Sequence, residues 1–117
     1  MPKKSAQKTL QQEELFSIIK EKINTKEKNS YTYELAKGGA EKITRKIGEE
    51  AVEVVIAGFM HEQKNNKKTR NDLVGEVSDL FFHSLVLLAA QEIEFSEILA
   101  ELNKRNVKKS PKKPTGK

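Results

Sequence analysis

Apolar residues recur every three or four positions along most of this 117-residue chain, which is the spacing of one face of an α-helix. Strict alternation of apolar and polar residues, the pattern of a half-buried strand, is missing. The spacing predicts long helices over about residues 9–24, 40–61, 71–91 and 96–106, and a short helix from about 31 to 37. We therefore expect an all-α domain, a bundle of four to five helices that occupies residues 9–106.

Polar residues and glycines mark the expected ends of these helices. Gly38 and Gly39 close the short helix, because glycine readily takes the left-handed conformation that ends helices. The polar segment QKNNKKTRN, residues 63–71, is predicted to be a loop. A side chain that can accept a hydrogen bond stands before each of three helices as its expected N-cap: Ser30, Thr69 or Asn71, and Ser96.

The two helices over 40–61 and 71–91 are unusual for a small domain, because apolar residues surround most of each circumference. Such helices need cover on most sides, and four short helices from one chain could hardly cover both. We therefore expect a second copy of the chain to complete the bundle, so that the protein is a homodimer.

Charge and composition narrow the class of protein. The formal net charge is +5, but ten of the 22 basic residues lie before residue 9 or after residue 103, whereas all 17 acidic residues lie between them. The segment 9–103 therefore holds 12 basic and 17 acidic groups, a net charge of −5. Residues 1–8 and 107–117 are predicted to be disordered basic tails, since neither contains an apolar run.

The chain has no cysteine, which excludes disulfides and thiolate metal sites and makes the cytoplasm the expected location. Its N-terminus lacks the apolar run of a signal peptide. The longest apolar stretch, LVLLAA at 85–90, is too short to cross a bilayer. We expect a soluble protein with no membrane partner.

Both apolar helices nevertheless carry one acidic stripe. At 100° per residue, a single arc of about 100° holds Glu49, Glu50 and Glu53, and an arc of about 60° on the other helix holds Asp72, Glu76, Asp79 and His83. Carboxylates gathered in an apolar site repel one another and take up protons unless a cation joins them. Oxygen ligands without cysteine suit Mg²⁺, or Mn²⁺ in its place. The alternatives are solvated acids that pair with lysines, and a histidine that serves the core rather than a metal.

Basic residues extend the first stripe toward the N-terminus. Lys42, Arg45 and Lys46 lie one to two turns before the acids, where a polyphosphate could bridge the cations and a metal held by the carboxylates. The alternative is intrahelical pairing of Arg45 with Glu49 and of Lys46 with Glu50. A metal beside basic residues supports hydrolysis of a phosphoanhydride without a protein nucleophile. The residues alone thus predict a metal-dependent phosphate hydrolase or a metal-binding helical module.

The segments SYTYELAKGGAEKITRKIGEEAVEVVIA, residues 30–57, and LVGEVSDLFFHSLVLL, residues 73–88, resemble the phosphoribosyl-ATP pyrophosphatases of histidine biosynthesis. These enzymes belong to the wider MazG-like superfamily of all-α nucleotide pyrophosphatases. The Ser-Tyr-Thr opening, the Lys-x-Gly-Glu-Glu-Ala-x-Glu core and the Glu-x-x-Asp-Leu-x-x-His segment match in order and spacing. The resemblance implies a MazG-like bundle that uses Mg²⁺ to hydrolyse 1-(5-phosphoribosyl)-ATP to 1-(5-phosphoribosyl)-AMP and pyrophosphate.

The resemblance also implies roles for single residues. The expected metal ligands are Glu50, Glu53, Glu76 and Asp79. Glu49 matches a further acid, which is expected to orient the water or to bind a second metal. The expected substrate-binding residues are Ser30, Tyr31, Thr32, Lys42, Arg45, Lys46 and His83. Without cysteines, the chain is expected to be the stand-alone form rather than a fusion to a zinc-binding cyclohydrolase domain.

Two other functions stay open at the level of sequence. One is a house-cleaning pyrophosphatase that performs the same chemistry on another nucleotide. The other is a nucleic-acid-binding module that uses the basic tails, which can hold phosphates without specificity. The acidic central segment and the lack of an aromatic platform weigh against the second, so we expect no specific nucleic acid partner.

Overall fold

The computed structural model describes residues 10–109, with side chains up to residue 106. Over this range it contains five helices and no strand: α1 (Gln12–Asn24), α2 (Tyr31–Lys37), α3 (Gly39–Lys64), α4 (Lys67–Ala90) and α5 (Phe95–Lys109). The predicted all-α fold is confirmed. Residues 107–109 are helical although they fall within the predicted tail 107–117. The rest of that tail and the tail 1–8 lie outside the described residues.

The two longest helices, α3 and α4, form a hairpin with a two-residue turn. Asn65 has a left-handed backbone (φ 48°, ψ 54°), which asparagine tolerates better than most residues. Asn66 caps α4: its side chain accepts from the backbone N–H of Thr69 at 2.8 Å, and the Thr69 hydroxyl accepts from the backbone N–H of Asn66 at 3.1 Å. The predicted loop over 63–71 is therefore wrong, because its polar residues are the exposed ends of two helices.

Two predicted caps were wrong and one is confirmed. Thr69 lies inside the first turn of α4 as the partner in its capping box, and Asn71 lies further along the same helix. Ser96 is the second residue of α5, which begins at Phe95. Ser30 does cap α2, since its hydroxyl accepts from the backbone N–H of Tyr33 at 3.1 Å.

The break between α2 and α3 depends on one glycine. Gly38 keeps a right-handed backbone with φ −72°, whereas Gly39 has φ +87°, a conformation that side chains with a Cβ rarely adopt. The left-handed residue turns the chain, so that α3 starts at once and runs past the carboxylates that the sequence singled out.

The hydrophobic core lies around the start of α3 and the end of α4. Its buried members come from all five helices: Phe16, Ile19, Leu35, Ile43, Leu85, Val86 and Phe95. Burying one such side chain stabilises the fold by about 1.5–3 kcal/mol. None of these buried members lies between residues 44 and 84, so the end of α3 and the start of α4 extend beyond the core.

The extending part of the hairpin carries an exposed apolar face. Six of its side chains are between 40% and 67% exposed: Val52, Val55, Phe59, Val74, Val77 and Phe81. Exposed patches of this kind mark sites that contact another molecule. This face agrees with the expectation that α3 and α4 are apolar over most of their circumference.

By length and composition alone, α4 is long and apolar enough to cross a membrane. One such helix does not indicate a membrane protein, because core helices of soluble proteins can be equally long and apolar. Here α4 contributes Leu85 and Val86 to the core and carries three acids along one side, which would be costly in a bilayer. We therefore treat α4 as a bundle helix.

Candidate metal and nucleotide site

Three carboxylates from the two long helices meet at the middle of the hairpin. One oxygen each from Glu50 of α3 and from Glu76 and Asp79 of α4 lie within 4.8 Å of one another. Glu76 and Asp79 are three residues apart and therefore share a face of α4, which turns them toward Glu50. The structure thus joins the two acidic stripes into one cluster.

The carboxylates of this cluster are short of hydrogen-bond donors. Glu50 is only 7% exposed, and its Oε1 atom has no hydrogen-bond partner among the described residues. The Oε1 atom of Glu76 is also buried and finds no partner within residues 10–106. Leaving a buried polar atom unpaired costs about 1–3 kcal/mol, and more for a charged group. A divalent cation with a preference for oxygen ligands fits this donor set, because it would satisfy both atoms and offset the repulsion.

Glu53, the fourth predicted ligand, lies at the edge of the cluster. It is exposed and hydrogen-bonds to Glu76. This hydrogen bond raises the pKa of Glu76 to about 7, with further contributions from burial and from the negative charges of Glu53, Glu50 and Asp79. Without a cation, the Glu76 carboxyl therefore holds its proton up to about pH 7.

The raised pKa of Glu76 predicts a pH-dependent stability in the absence of divalent metal. The folded protein holds this proton up to about pH 7, whereas an ordinary glutamate loses it near 4.5. The free energy of unfolding should therefore fall as pH rises from about 4.5 to about 7. Urea unfolding in EDTA at several pH values checks this. In Glu76→Gln the free energy of unfolding should change less between pH 4.5 and 7 than in the wild type. Glu62→Gln, which alters an exposed acid elsewhere on α3, should follow the wild type. Identical curves for Glu76→Gln and the wild type would contradict the raised pKa of Glu76.

Two of the basic residues on α3 form intrahelical ion pairs. Arg45 binds Glu41 at 3.0 Å, and Lys46 binds Glu49 at 3.6 Å. The pairs that the sequence offered as an alternative, Arg45 with Glu49 and Lys46 with Glu50, are not the ones that form. Glu41 lies four residues N-terminal to Arg45, which is the favourable order on a helix. Glu50 faces α4 and is buried, so Lys46 pairs with the exposed Glu49 instead.

Lys46 lies close enough to Tyr31, Glu49 and Glu50 to interact with all three. The neighbouring Tyr31 raises the pKa of Lys46 above its ordinary value, and Glu49 and Glu50 add to this effect while burial opposes it. Lys46 is therefore a cation between α2 and the carboxylates. Lys42 is exposed one turn earlier on α3.

A hydrogen-bonded pair connects the start of α2 to α4. The Nδ1 atom of His83 lies 2.8 Å from the backbone oxygen of Asp79, and its Nε2 atom lies 2.8 Å from the hydroxyl of Tyr31. Because a carbonyl only accepts, Nδ1 carries the proton, and in the neutral ring Nε2 accepts from Tyr31. His83 is buried and has both ring nitrogens occupied, so it orients Tyr31 and lies behind the site.

Of the Ser-Tyr-Thr segment, only Tyr31 presents a largely exposed side chain. Ser30 and Thr32 are buried, and the Ser30 hydroxyl is used as the cap of α2. Tyr31 is 53% exposed and stacks against Phe82, with ring centroids 6.2 Å apart. Ser30 is therefore occupied as a helix cap and Thr32 is buried, whereas the exposed part of the Tyr31 ring can face a ligand.

A cavity of about 360 Å³ adjoins the carboxylates on the side of the hairpin turn. Its lining comprises Glu53, Ile56, Ala57, Met60, Thr69, Asp72 and Glu76. The apolar members were not predicted as site residues. A signal was present, because Ile56 and Met60 fall within about 20° of Glu49 on the helical wheel and continue the acidic stripe of α3.

Comparison with known proteins identifies the family of the chain. The family model described as phosphoribosyl-ATP pyrophosphohydrolase matches residues 12–106. A phosphoribosyl-ATP pyrophosphatase of Clostridium novyi is 40% identical over 102 residues, which cover 87% of this chain and 86% of the relative. Enzymes with the same name from Geobacter metallireducens and Listeria monocytogenes are each 46% identical, over 78% and 83% of this chain and 77% and 86% of their own lengths. The matched region contains every carboxylate of the cluster together with Tyr31, Lys46 and His83, and the chain belongs to the phosphoribosyl-ATP pyrophosphohydrolase family.

Proposed function

We propose that this protein hydrolyses 1-(5-phosphoribosyl)-ATP to 1-(5-phosphoribosyl)-AMP and pyrophosphate, the second step of L-histidine biosynthesis. The observation that carries the proposal is the cluster of Glu50, Glu76 and Asp79, with its unpartnered buried oxygens, inside the region that matches the family. We further propose Mg²⁺ as the cation, with Mn²⁺ as its substitute, and the cytoplasm as the place of action. Glu53, at the edge of the cluster, would be the fourth ligand.

The residues around the cluster can hold a polyphosphate in place. When bound, Mg²⁺ supplies a Lewis acid that neutralises the departing pyrophosphate and makes water more acidic. Lys46 exchanges Glu49 for a phosphate oxygen, since an exposed ion pair is weak and readily replaced. Glu49, released from Lys46, is then a free carboxylate beside the reacting group and can orient the attacking water and accept its proton. Tyr31, fixed by His83, limits the position of the substrate on the α2 side.

We propose that the enzyme is a homodimer closed through the exposed apolar face of α3 and α4. On α3, the members Val52, Val55 and Phe59 lie about 60° or more away from Glu49 on the helical wheel, so a partner can cover them without displacing the acids. Burying a single exposed valine or phenylalanine contributes about 1.5–3 kcal/mol.

The dimer is tested by placing a charge in this face. Phe59 is 67% exposed, and Phe59→Glu should give a monomer by multi-angle light scattering at micromolar concentration where the wild type is a dimer. Leu102→Glu is the matched control, because Leu102 is a 54% exposed apolar residue on α5, outside the face. A monomeric wild type would contradict the proposal.

The substrate is tested by measuring pyrophosphate release from phosphoribosyl-ATP, dUTP, dCTP and ATP in parallel. Phosphoribosyl-ATP should be hydrolysed with the highest kcat/KM. Activity confined to dUTP, dCTP or ATP would instead identify a house-cleaning enzyme. No activity on any of the four, combined with salt-sensitive nucleic acid binding that is lost on deletion of residues 108–117, would favour the nucleic-acid-binding alternative.

A further inference from the structure

We propose that the cavity beside the carboxylates binds the adenine ring of the substrate, and that Asp72 selects an adenine whose N1 atom carries a substituent. This inference rests on the proposed function and adds to it the part of the protein that distinguishes phosphoribosyl-ATP from ATP. The carboxylate cluster cannot make that distinction, because both molecules present the same triphosphate.

The cavity has the size and the walls that a flat ring needs. Its volume of about 360 Å³ lies within the range of about 300–1,000 Å³ typical of small-molecule sites. Ile56, Ala57 and Met60 provide an apolar wall from α3, while Thr69 and Asp72 provide a polar edge from α4. The walls are held in place by the adjacent hairpin turn, where His61 Nδ1 lies 2.9 Å from the Thr69 hydroxyl.

The position of the cavity matches the layout of a nucleotide. Glu53 and Glu76 line the cavity and also belong to the carboxylate site, so a single ligand can occupy both. Asp72 precedes Glu76 by four residues, which is about 6 Å along the helix axis. The reacting phosphates can therefore lie at the cluster while the base lies toward the turn.

The chemistry of the substrate gives Asp72 a specific partner. In ATP the adenine ring is neutral at pH 7, and its N1 atom only accepts hydrogen bonds. A ribose on N1 turns the N1–C6–N6 edge into a strongly basic amidine, which holds a proton at neutral pH. The substrate ring is therefore a cation with an N–H donor at N6, and a carboxylate recognises such a group through a charge-assisted hydrogen bond.

Asp72 is the acid of the cavity that is free for this task. Glu53 and Glu76 belong to the cluster, whereas Asp72 pairs, within the part of the chain that the structure describes, with the exposed Lys68 alone, at 2.9 Å. Lys68 is 82% exposed, so its pair with Asp72 is weak and can be exchanged for a cationic ligand. On α4, Asp72 also lies well away from the exposed apolar members Val74 and Val77, so a partner subunit on that face leaves the cavity open.

The experiment measures binding without turnover. The probes are 1-methyl-AMP, which has an N1-substituted adenine and no phosphoanhydride, and AMP, each titrated in the presence of Mg²⁺. The methyl group of Met60 reports directly from the cavity wall, because Met1 is the only other methionine in the chain. We expect 1-methyl-AMP to shift the Met60 methyl signal and to bind about fivefold to tenfold more tightly than AMP.

Asp72→Asn should remove this preference, so that both probes bind with the affinity of AMP. It should also lower kcat/KM for phosphoribosyl-ATP by about fivefold to tenfold, mainly through KM, since the carboxylates that perform the chemistry are intact. Glu101→Gln is the matched control, because it removes a comparable exposed i,i+4 pair, between Glu101 and Arg105 at 3.0 Å, far along the chain on α5. This control should keep the preference for 1-methyl-AMP.

If the Met60 methyl signal does not change when either probe is added, the cavity is not the base site. A side chain from a second copy that fills the cavity would also rule it out. A preference that survives in Asp72→Asn would overturn the role of Asp72. In either case, wild-type release of pyrophosphate from phosphoribosyl-ATP would leave the proposed function standing. A wild type that does not hydrolyse phosphoribosyl-ATP would refute the proposed function, and the inference would fall with it.

Discussion

Glu50→Gln is expected to reduce Mg²⁺-dependent pyrophosphate release from phosphoribosyl-ATP by about a hundredfold to a thousandfold. Glu50 is the buried carboxylate of the cluster, and it is the one that α3 presents to Glu76 and Asp79. The amide keeps the shape of the side chain but removes its charge. A cation bound mainly by the α4 carboxylates would be held weakly and in altered geometry.

The assay needs a control for folding and a control for the substitution itself. Circular dichroism should show unchanged helical content in Glu50→Gln, because no helix cap or core residue is altered. Glu62→Gln makes the same chemical change at an exposed position of α3 and should retain wild-type turnover. Near-wild-type activity in Glu50→Gln would refute the assignment of this residue as a ligand.

In EDTA, Glu50→Gln is expected to melt at a higher temperature than the wild type, and Mg²⁺ should reverse that order. Without a cation, the wild type holds mutually repelling carboxylates whose buried oxygens lack partners. Removing one charge relieves that repulsion, and for a domain of this size each kcal/mol raises Tm by about 4–8 °C. With Mg²⁺ at about 100 times its Kd, the wild type gains about 2.7 kcal/mol, which the variant largely loses.

Differential scanning fluorimetry with EDTA and with Mg²⁺ measures both halves of this prediction. The informative quantity is the change in Tm on adding metal, because it is independent of small differences in intrinsic stability. Asp79→Asn should behave as Glu50→Gln does, whereas Glu62→Gln should show the full wild-type increase. If Mg²⁺ raised the Tm of Glu50→Gln as much as that of the wild type, the cluster would not be the metal site.

The regular part of the fold and the core of the site could be predicted from sequence because both depend on helical periodicity. Residues that share an arc of one helix face the same neighbour, so Glu50 on α3 and Glu76 and Asp79 on α4 could be brought together once two helices were expected to pack. The confirmed all-α fold follows from the same spacing. The homodimer also began as such an expectation, and it stays a proposal that the exposed face supports.

The features that the sequence predicted wrongly depend on choices between local alternatives. Asparagine can cap a helix, adopt a left-handed backbone or lie on an exposed helix face. Packing of α3 against α4 determines that Asn65 and Asn66 form the turn. Likewise Lys46 has acids three and four residues away. Because Glu50 is buried against α4, Lys46 forms its ion pair with Glu49. The cavity was missed because its lining combines residues of two helices that are apolar elsewhere as well.

The location of the site also explains how it can be rigid. The core anchors the start of α3 and the end of α4, while the capped turn at Asn66 fixes their other ends. The carboxylate cluster lies between these two fixed points. Ligands held by packed helices stay close to their binding geometry, which lowers the cost of ordering them when a cation binds.

The most direct test is the identity and metal dependence of the products formed from phosphoribosyl-ATP by the wild-type protein. The account predicts pyrophosphate and phosphoribosyl-AMP in equal amounts with Mg²⁺, and neither product after treatment with EDTA, with activity restored when Mg²⁺ or Mn²⁺ is added back. Release of single phosphate groups in place of pyrophosphate, or turnover unaffected by EDTA, would contradict it.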